Sequence, residues 1–115
     1  MSRIIGLIVA GLIMTGCASG RTETSAERGY QAVLAQDWKV AEIELHDALR
    51  IDNYDLYSRL NLGVVYANTG RRQRAREQYK TVISAANGEV AKRTSNGRNG
   101  TKLADLARQN LAELN

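Results

Sequence analysis

One period constrains this chain more than any other feature. Displacing the sequence on itself by 34 residues lays Gly29 on Gly63, Ala41 on Ala75, Leu45 on Tyr79, Leu49 on Ile83 and Asn53 on Asn87. Self-similarity at such a period is the mark of stacked supersecondary units. Gly29 and Gly63 fall in the middle of helical patterns, where a glycine costs about 1 kcal/mol relative to alanine. A small residue recurring there predicts close approach of two helices. Ala41 and Ala75 predict the same closeness on the second helix of each unit.

The apolar spacing predicts five helices, over residues 25–36, 38–51, 55–69, 72–86 and 101–114. In the third, Leu56, Leu60, Gly63, Val64 and Ala67 recur at helical intervals. In the fourth, Ala75, Tyr79, Val82, Ile83 and Ala86 form a stripe, with Arg72, Arg76 and Lys80 outside it. The segment 94–100 (TSNGRNG) is polar and glycine-rich and breaks the period. Thr101 then reads as an N-cap, followed by an apolar face of Leu103, Leu106, Ala107 and Leu111. No second helix follows the fifth, so it is expected to cover the exposed edge of the second unit. Alternatively it is a truncated repeat, because Asn110-Leu111-Ala112 echoes Asn61-Leu62-Gly63.

These positions resemble the tetratricopeptide repeat (TPR). The second unit, 56–89, carries Leu62-Gly63, Tyr66, Gly70 in the turn, Ala75 and Tyr79. The first, 22–55, has Gly29 but Arg28 in place of leucine and Ala32 in place of tyrosine, then Trp38, Ala41, Leu45 and Ala48. The chain contains no proline, and the proline that usually closes a repeat is replaced by Asn53 and Asn87. Asparagine can end a helix in the left-handed conformation. The resemblance implies an all-α fold: a short TPR α-solenoid of two helix-turn-helix repeats and a capping helix, filling a domain over 25–115. Solenoids generally need three or more repeats, so a second copy or a bound partner is expected to stabilise this one.

The N-terminus has a different character. Arg3 is the only charge in the first twenty residues, and residues 4–14 form an apolar run of eleven. That is too short to span a bilayer, which takes about 20 residues, but it suits a secretory signal followed by small residues. The run ends in Met14-Thr15-Gly16-Cys17. This resembles the lipobox of bacterial lipoproteins, with Met14 where leucine is usual. The resemblance implies a signal peptide over 1–16, lipidation of Cys17 and a flexible tether over 17–24. Two or more acyl chains make an anchor stable, so the chain would sit on a membrane without spanning it. Ala18, rather than aspartate, points to the outer membrane and a periplasmic face. A conventionally cleaved peptide with a free Cys17, or an uncleaved anchor, are the alternatives.

Composition narrows the chemistry. A single cysteine excludes an intramolecular disulfide and a cysteine-based zinc cluster. Hydrophobic residues at 43% with a net charge of +4 argue against wholesale disorder. His46, the only histidine, stands one helical turn after Glu42, an ordinary exposed contact rather than a metal site. Ser25, Ser58 and Ser84 lack an organised base, and no phosphate-binding glycine loop is present. No enzyme, cofactor or metal is expected.

Two surfaces remain as candidates. In TPR proteins the first helix of each repeat lines a groove, which here implies Glu23, Ala26, Tyr30, Val33 and Leu34, then Tyr57, Leu60, Val64, Ala67 and Asn68. About half of this lining is expected to be structural. The rest suits a peptide or a partner helix, with the tyrosines offering flat contact area. A carboxylate clamp is not expected, since Ala26 and Tyr30 stand where lysine and asparagine are needed. The second surface is the stripe Arg72, Arg76 and Lys80, within a cluster that includes Arg71 and Arg74 and continues through Lys92, Arg93, Arg98 and Lys102. It reads either as a solvated face or as a contact for anionic lipid or peptidoglycan; nucleic acid is not expected. The whole suggests a lipid-anchored interaction scaffold, similar in architecture to pilotins and assembly factors of pili and secretion channels.

Overall fold

A computed structural model describes residues 22–86 and 102–115. The signal segment, Cys17, Asn87, the 94–100 loop and Thr101 lie outside the described residues. The described residues form five helices: α1 (Ser25–Leu34), α2 (Trp38–Ile51), α3 (Leu56–Asn68), α4 (Arg72–Ala85) and α5 (Leu103–Glu113). The expected all-α class holds.

Local chemistry sets the boundaries. Thr24 accepts from the Glu27 N–H while the Glu27 side chain accepts from the Thr24 N–H, a capping box that starts α1. Asp37 and Asp55 cap α2 and α3, accepting from the Val40 and Ser58 N–H groups. α1 stops two residues before the expected end because Gln36 turns left-handed, with φ 58°. The Asp37 N–H then donates to the Ala32 carbonyl at 2.9 Å. One period later Gly70 has φ 76° and the Arg71 N–H donates to the Tyr66 carbonyl at 3.0 Å. Both hairpins thus close with the same six-residue hydrogen-bonded turn. Two expectations are corrected. Asn53 does not end α2 in a left-handed conformation; extended Asp52 (φ −139°) does, and the Arg59 guanidinium holds the Asn53 carbonyl and side chain. The N-cap position of α5 is Lys102, without a side-chain cap, rather than Thr101.

The helices stack in chain order. α1 packs on α2, and α3 on α4. α3 also packs against α1 and α2, while α5 covers α4 and touches α3. No other pair of described helices is in contact. The buried residues of α2, Ala41, Leu45 and Ala48, have counterparts one period on in Ala75, Tyr79 and Val82 of α4. A Cβ placed on Gly29 would lie 2.6 Å from Leu45 Cδ2, and one on Gly63 would lie 2.5 Å from Tyr79 Cε1. The recurring glycines are therefore contact points between the two helices of each hairpin.

α3 differs from the other four. It sits between the first hairpin on one side and α4 and α5 on the other, and residues 60–67 are buried without interruption. This position explains why the first unit departs from the second. Tyr66 reaches His46 of the preceding hairpin, and Leu62 lies one turn before it. α1 has no preceding hairpin among the described residues, so its counterparts need no bulk there. Arg28 can instead remain half-exposed and pair with Glu44 at 3.1 Å. At the other end, Leu103, Leu106 and Ala107 of α5 are fully buried, and Leu111 packs against the core from its rim.

Gly63→Ala is expected to lower the free energy of unfolding by about 1–3 kcal/mol, the overpacking cost exceeding the helix-propensity gain. The check is the denaturant midpoint at constant slope. Gly29→Ala should cost less, since Leu45 is a smaller, rotatable neighbour than the Tyr79 ring. An unchanged midpoint for Gly63→Ala would sink the close-approach argument.

Candidate interaction surfaces

The expected groove lining divides by burial. Tyr30, Val33, Leu60, Val64 and Ala67 are buried and belong to the core. Ala26, Tyr57 and Asn68 are half-buried, Glu23 is exposed, and Leu34 is 42% exposed. Of the lining positions, Glu23, Leu34, Tyr57 and Asn68 combine accessibility with a side chain large enough to grip. Asn68 is braced from behind, its Nδ2 donating to the Val64 carbonyl at 2.8 Å. The burial has a physical cause in α3. Periodicity identifies which helix face turns inward, but α3 has neighbours on both sides, so positions that would line an open concavity are enclosed.

The basic cluster also separates into two sets. Arg71 makes a two-pronged ion pair with Glu42 of α2, with Nη1 donating to Oε2 at 3.0 Å and Nη2 to Oε1. Its guanidinium stacks over the Tyr66 ring at 4.7 Å, and that of Arg74 approaches the same ring at 5.9 Å. Arg71 thus belongs to the junction of α2, α3 and α4. Arg72 and Lys80 are exposed on α4, and Arg76 is half-buried, its Nη1 donating to Asn115 Oδ1 at 3.4 Å. None of the three enters an ion pair among the described residues. The four-residue spacing keeps them on one side of α4 as a positive strip.

His46 has a role that sequence spacing does not reveal. Its Nε2 lies 3.9 Å from Glu42 Oε2, as the one-turn separation suggests, and 3.1 Å from Tyr66 Oη. Glu42, His46, Tyr66 and Arg71 therefore form a polar bridge across the hairpin junction. The Arg71 hydrogen bonds, reinforced by its charge, hold the Glu42 carboxyl below the usual carboxylate range. No group of three or more His, Cys, Asp or Glu side chains among the described residues is placed to hold a metal. No described helix is long and apolar enough to cross a membrane.

Sequence reasoning passes over two further features. The Glu42–Arg71 pair joins residues far apart in sequence and carries no local signal. Exposed Ile51 and Tyr54 lie where α2 meets α3; an aromatic residue inside the polar turn DNYD is the only hint of them.

Because the folded-state pKa of Glu42 is lowered, its stabilising contribution is present above the ordinary carboxylate value and is lost as pH falls through the lowered one. Arg71→Ala removes that contribution. At neutral pH the variant should be less stable by about 1 kcal/mol, solvent screening keeping the cost of this half-exposed pair small. The gap to the parent should narrow as pH falls from about 5 to about 3 in denaturant titrations. Parallel profiles would refute the coupling.

No protein-family model matches the chain, and neither a curated protein nor a solved structure matches it.

Proposed function

We propose that the chain is a non-enzymatic, lipid-anchored interaction scaffold: a short TPR α-solenoid held by Cys17 at the periplasmic face of the outer membrane. The observation that carries this reading is the recurrence of one hairpin in three respects. The glycine contact, the buried triad of the second helix and the left-handed turn residue each return after 34 residues. Arrays of this kind present surface along their length rather than an enclosed pocket, which suits capture of an extended or helical partner segment. The partner class proposed is a component of a pilus or secretion assembly, by analogy of architecture alone. The Cys17 anchor would raise the local concentration of the scaffold for such a partner. A two-repeat array also gains from a bound partner or a second copy.

Partner capture is tested by pull-down of the full chain from detergent extracts of its own cells. The double variant Leu34→Ala/Tyr57→Ala changes accessible lining positions and leaves the buried Tyr30 in place. Co-purifying proteins should fall by about tenfold, a loss of about 1.4 kcal/mol of binding. Retention at the parental level would place the binding site elsewhere.

The positive strip supports a second reading, in which Arg72, Arg76 and Lys80 contact peptidoglycan or anionic lipid. Exposed Arg72 and Lys80, which enter no ion pair among the described residues, favour it. Under this reading the full chain co-sediments with purified sacculi at low salt and is released as salt rises. Arg72→Glu/Lys80→Glu should abolish sedimentation, and a parent chain that stays in solution at low salt would eliminate the reading.

A further inference from the structure

The end of the array from which the chain leaves toward residue 17 also carries its two most exposed large apolar side chains. Ser25 Oγ donates to Asp47 Oδ2 at 2.7 Å, which fixes the start of α1 beside the last turn of α2. Ile51, the final residue of α2, is 71% exposed, and Tyr54 in the following turn is 87% exposed. Neither belongs to the core or to the half-buried side chains packed against it. Leu34, Val40 and Ile43 are less exposed; Leu34 and Val40 lie at the opposite end of the first hairpin and Ile43 midway along α2.

The turn bearing Tyr54 is braced. The Tyr54 N–H donates to Asp52 Oδ1 at 2.9 Å and the Asp55 N–H donates to the Asp52 carbonyl at 3.2 Å. Arg59 Nη2 donates to both the Asn53 carbonyl and Asn53 Oδ1, each at 3.0 Å. A backbone held this firmly presents the ring outward in a fixed place, so a contact there loses little conformational entropy.

We propose that this end rests on a lipid bilayer, with Tyr54 and Ile51 seated at the headgroup level. The inference rests on the lipid-anchor reading of Cys17. Chain length supplies the argument for the occupant. From residue 17 to Ser25, the first residue of α1, the extended chain reaches at most about 29 Å, so a lipid at Cys17 holds the start of α1 within that distance of the membrane surface, with Tyr54 and Ile51 at the same end. A tyrosine ring is amphipathic and concentrates at membrane–water interfaces, while Ile51 supplies apolar area beside it. An acyl anchor combined with a second membrane contact binds more firmly than either alone. The contact also orients the array, with α2, α3 and α4 rising from the surface and the α1–α2 turn facing away.

The test uses the full lipidated chain in vesicles of phosphatidylethanolamine and phosphatidylglycerol with brominated acyl chains. The single Trp38 of the parent, at the far end of α2, is the internal reference. In Tyr54→Trp, the added emission should be blue-shifted and quenched by brominated lipid by at least about twofold, while Trp38 stays unquenched. Adding Ile51→Ser should weaken the quenching. Added emission that brominated lipid does not quench, in protein that incorporates palmitate at Cys17, overturns this inference and leaves the anchor reading standing. Absence of palmitate, with Cys17→Ser as control, overturns both. A blue shift that follows protein concentration in detergent instead of lipid assigns this end to a second copy and also overturns the inference.

Discussion

Two close approaches, each permitted by the absence of a single Cβ, govern the geometry of this chain. At Gly29 and Gly63 the first helix of a hairpin comes so near the second that even a methyl group would overlap Leu45 or Tyr79. The helical cost of glycine is offset by what the approach makes possible: Leu45 and Tyr79 are both fully buried, and the small Ala41 and Ala75 keep the hairpin narrow one turn away. The approach leaves Tyr79 an asymmetric environment. Its ring is enclosed, its hydroxyl has no hydrogen-bond partner among the described residues, and burial pushes the phenol far above its ordinary range. The second hairpin accepts an uncompensated polar atom in exchange for a large ring at its centre.

The five helices were legible in the sequence because they follow from local rules. Small residues at one period and apolar stripes at helical spacing suffice to place them. The turn at Gln36 was not legible, because glutamine gives no sign of a left-handed conformation; the closing bond from the Asp37 N–H to the Ala32 carbonyl holds it. The same limit applies at Asn53, where a long-range brace from Arg59 replaces the expected helix stop. The groove was legible only in outline. Which face of α3 turns inward can be read from spacing, but not that Leu60 and Val64 are enclosed, since that depends on how many elements surround the helix.

Charge follows a comparable division between structure and surface. At the hairpin junction, Glu42, His46, Tyr66 and Arg71 combine an ion pair, a hydrogen bond and ring stacking, so polar groups there do what apolar packing does elsewhere. Arg71 is withdrawn into this bridge from a run of basic residues that otherwise looks uniform. On α4, Arg72 and Lys80 keep their charge toward solvent, while Arg74 approaches the Tyr66 ring and Arg76 donates to Asn115. A sequence run of like charge thus contains both a member of the junction and others that stay at the surface, and the distinction is made by Glu42, which only Arg71 of the run pairs with among the described residues.

The enclosure of α3 has a consequence for what kind of folding unit this is. In a long array each repeat has its own interior and an interface with the next, and loss of one repeat leaves the others viable. Here α3 is the wall shared by both interiors, with residues 60–67 turned to neighbours on every side. A break between α2 and α3 would strip the first hairpin of the cover it has among the described residues and expose the inner wall of the second. The described helices are therefore expected to unfold together and not hairpin by hairpin.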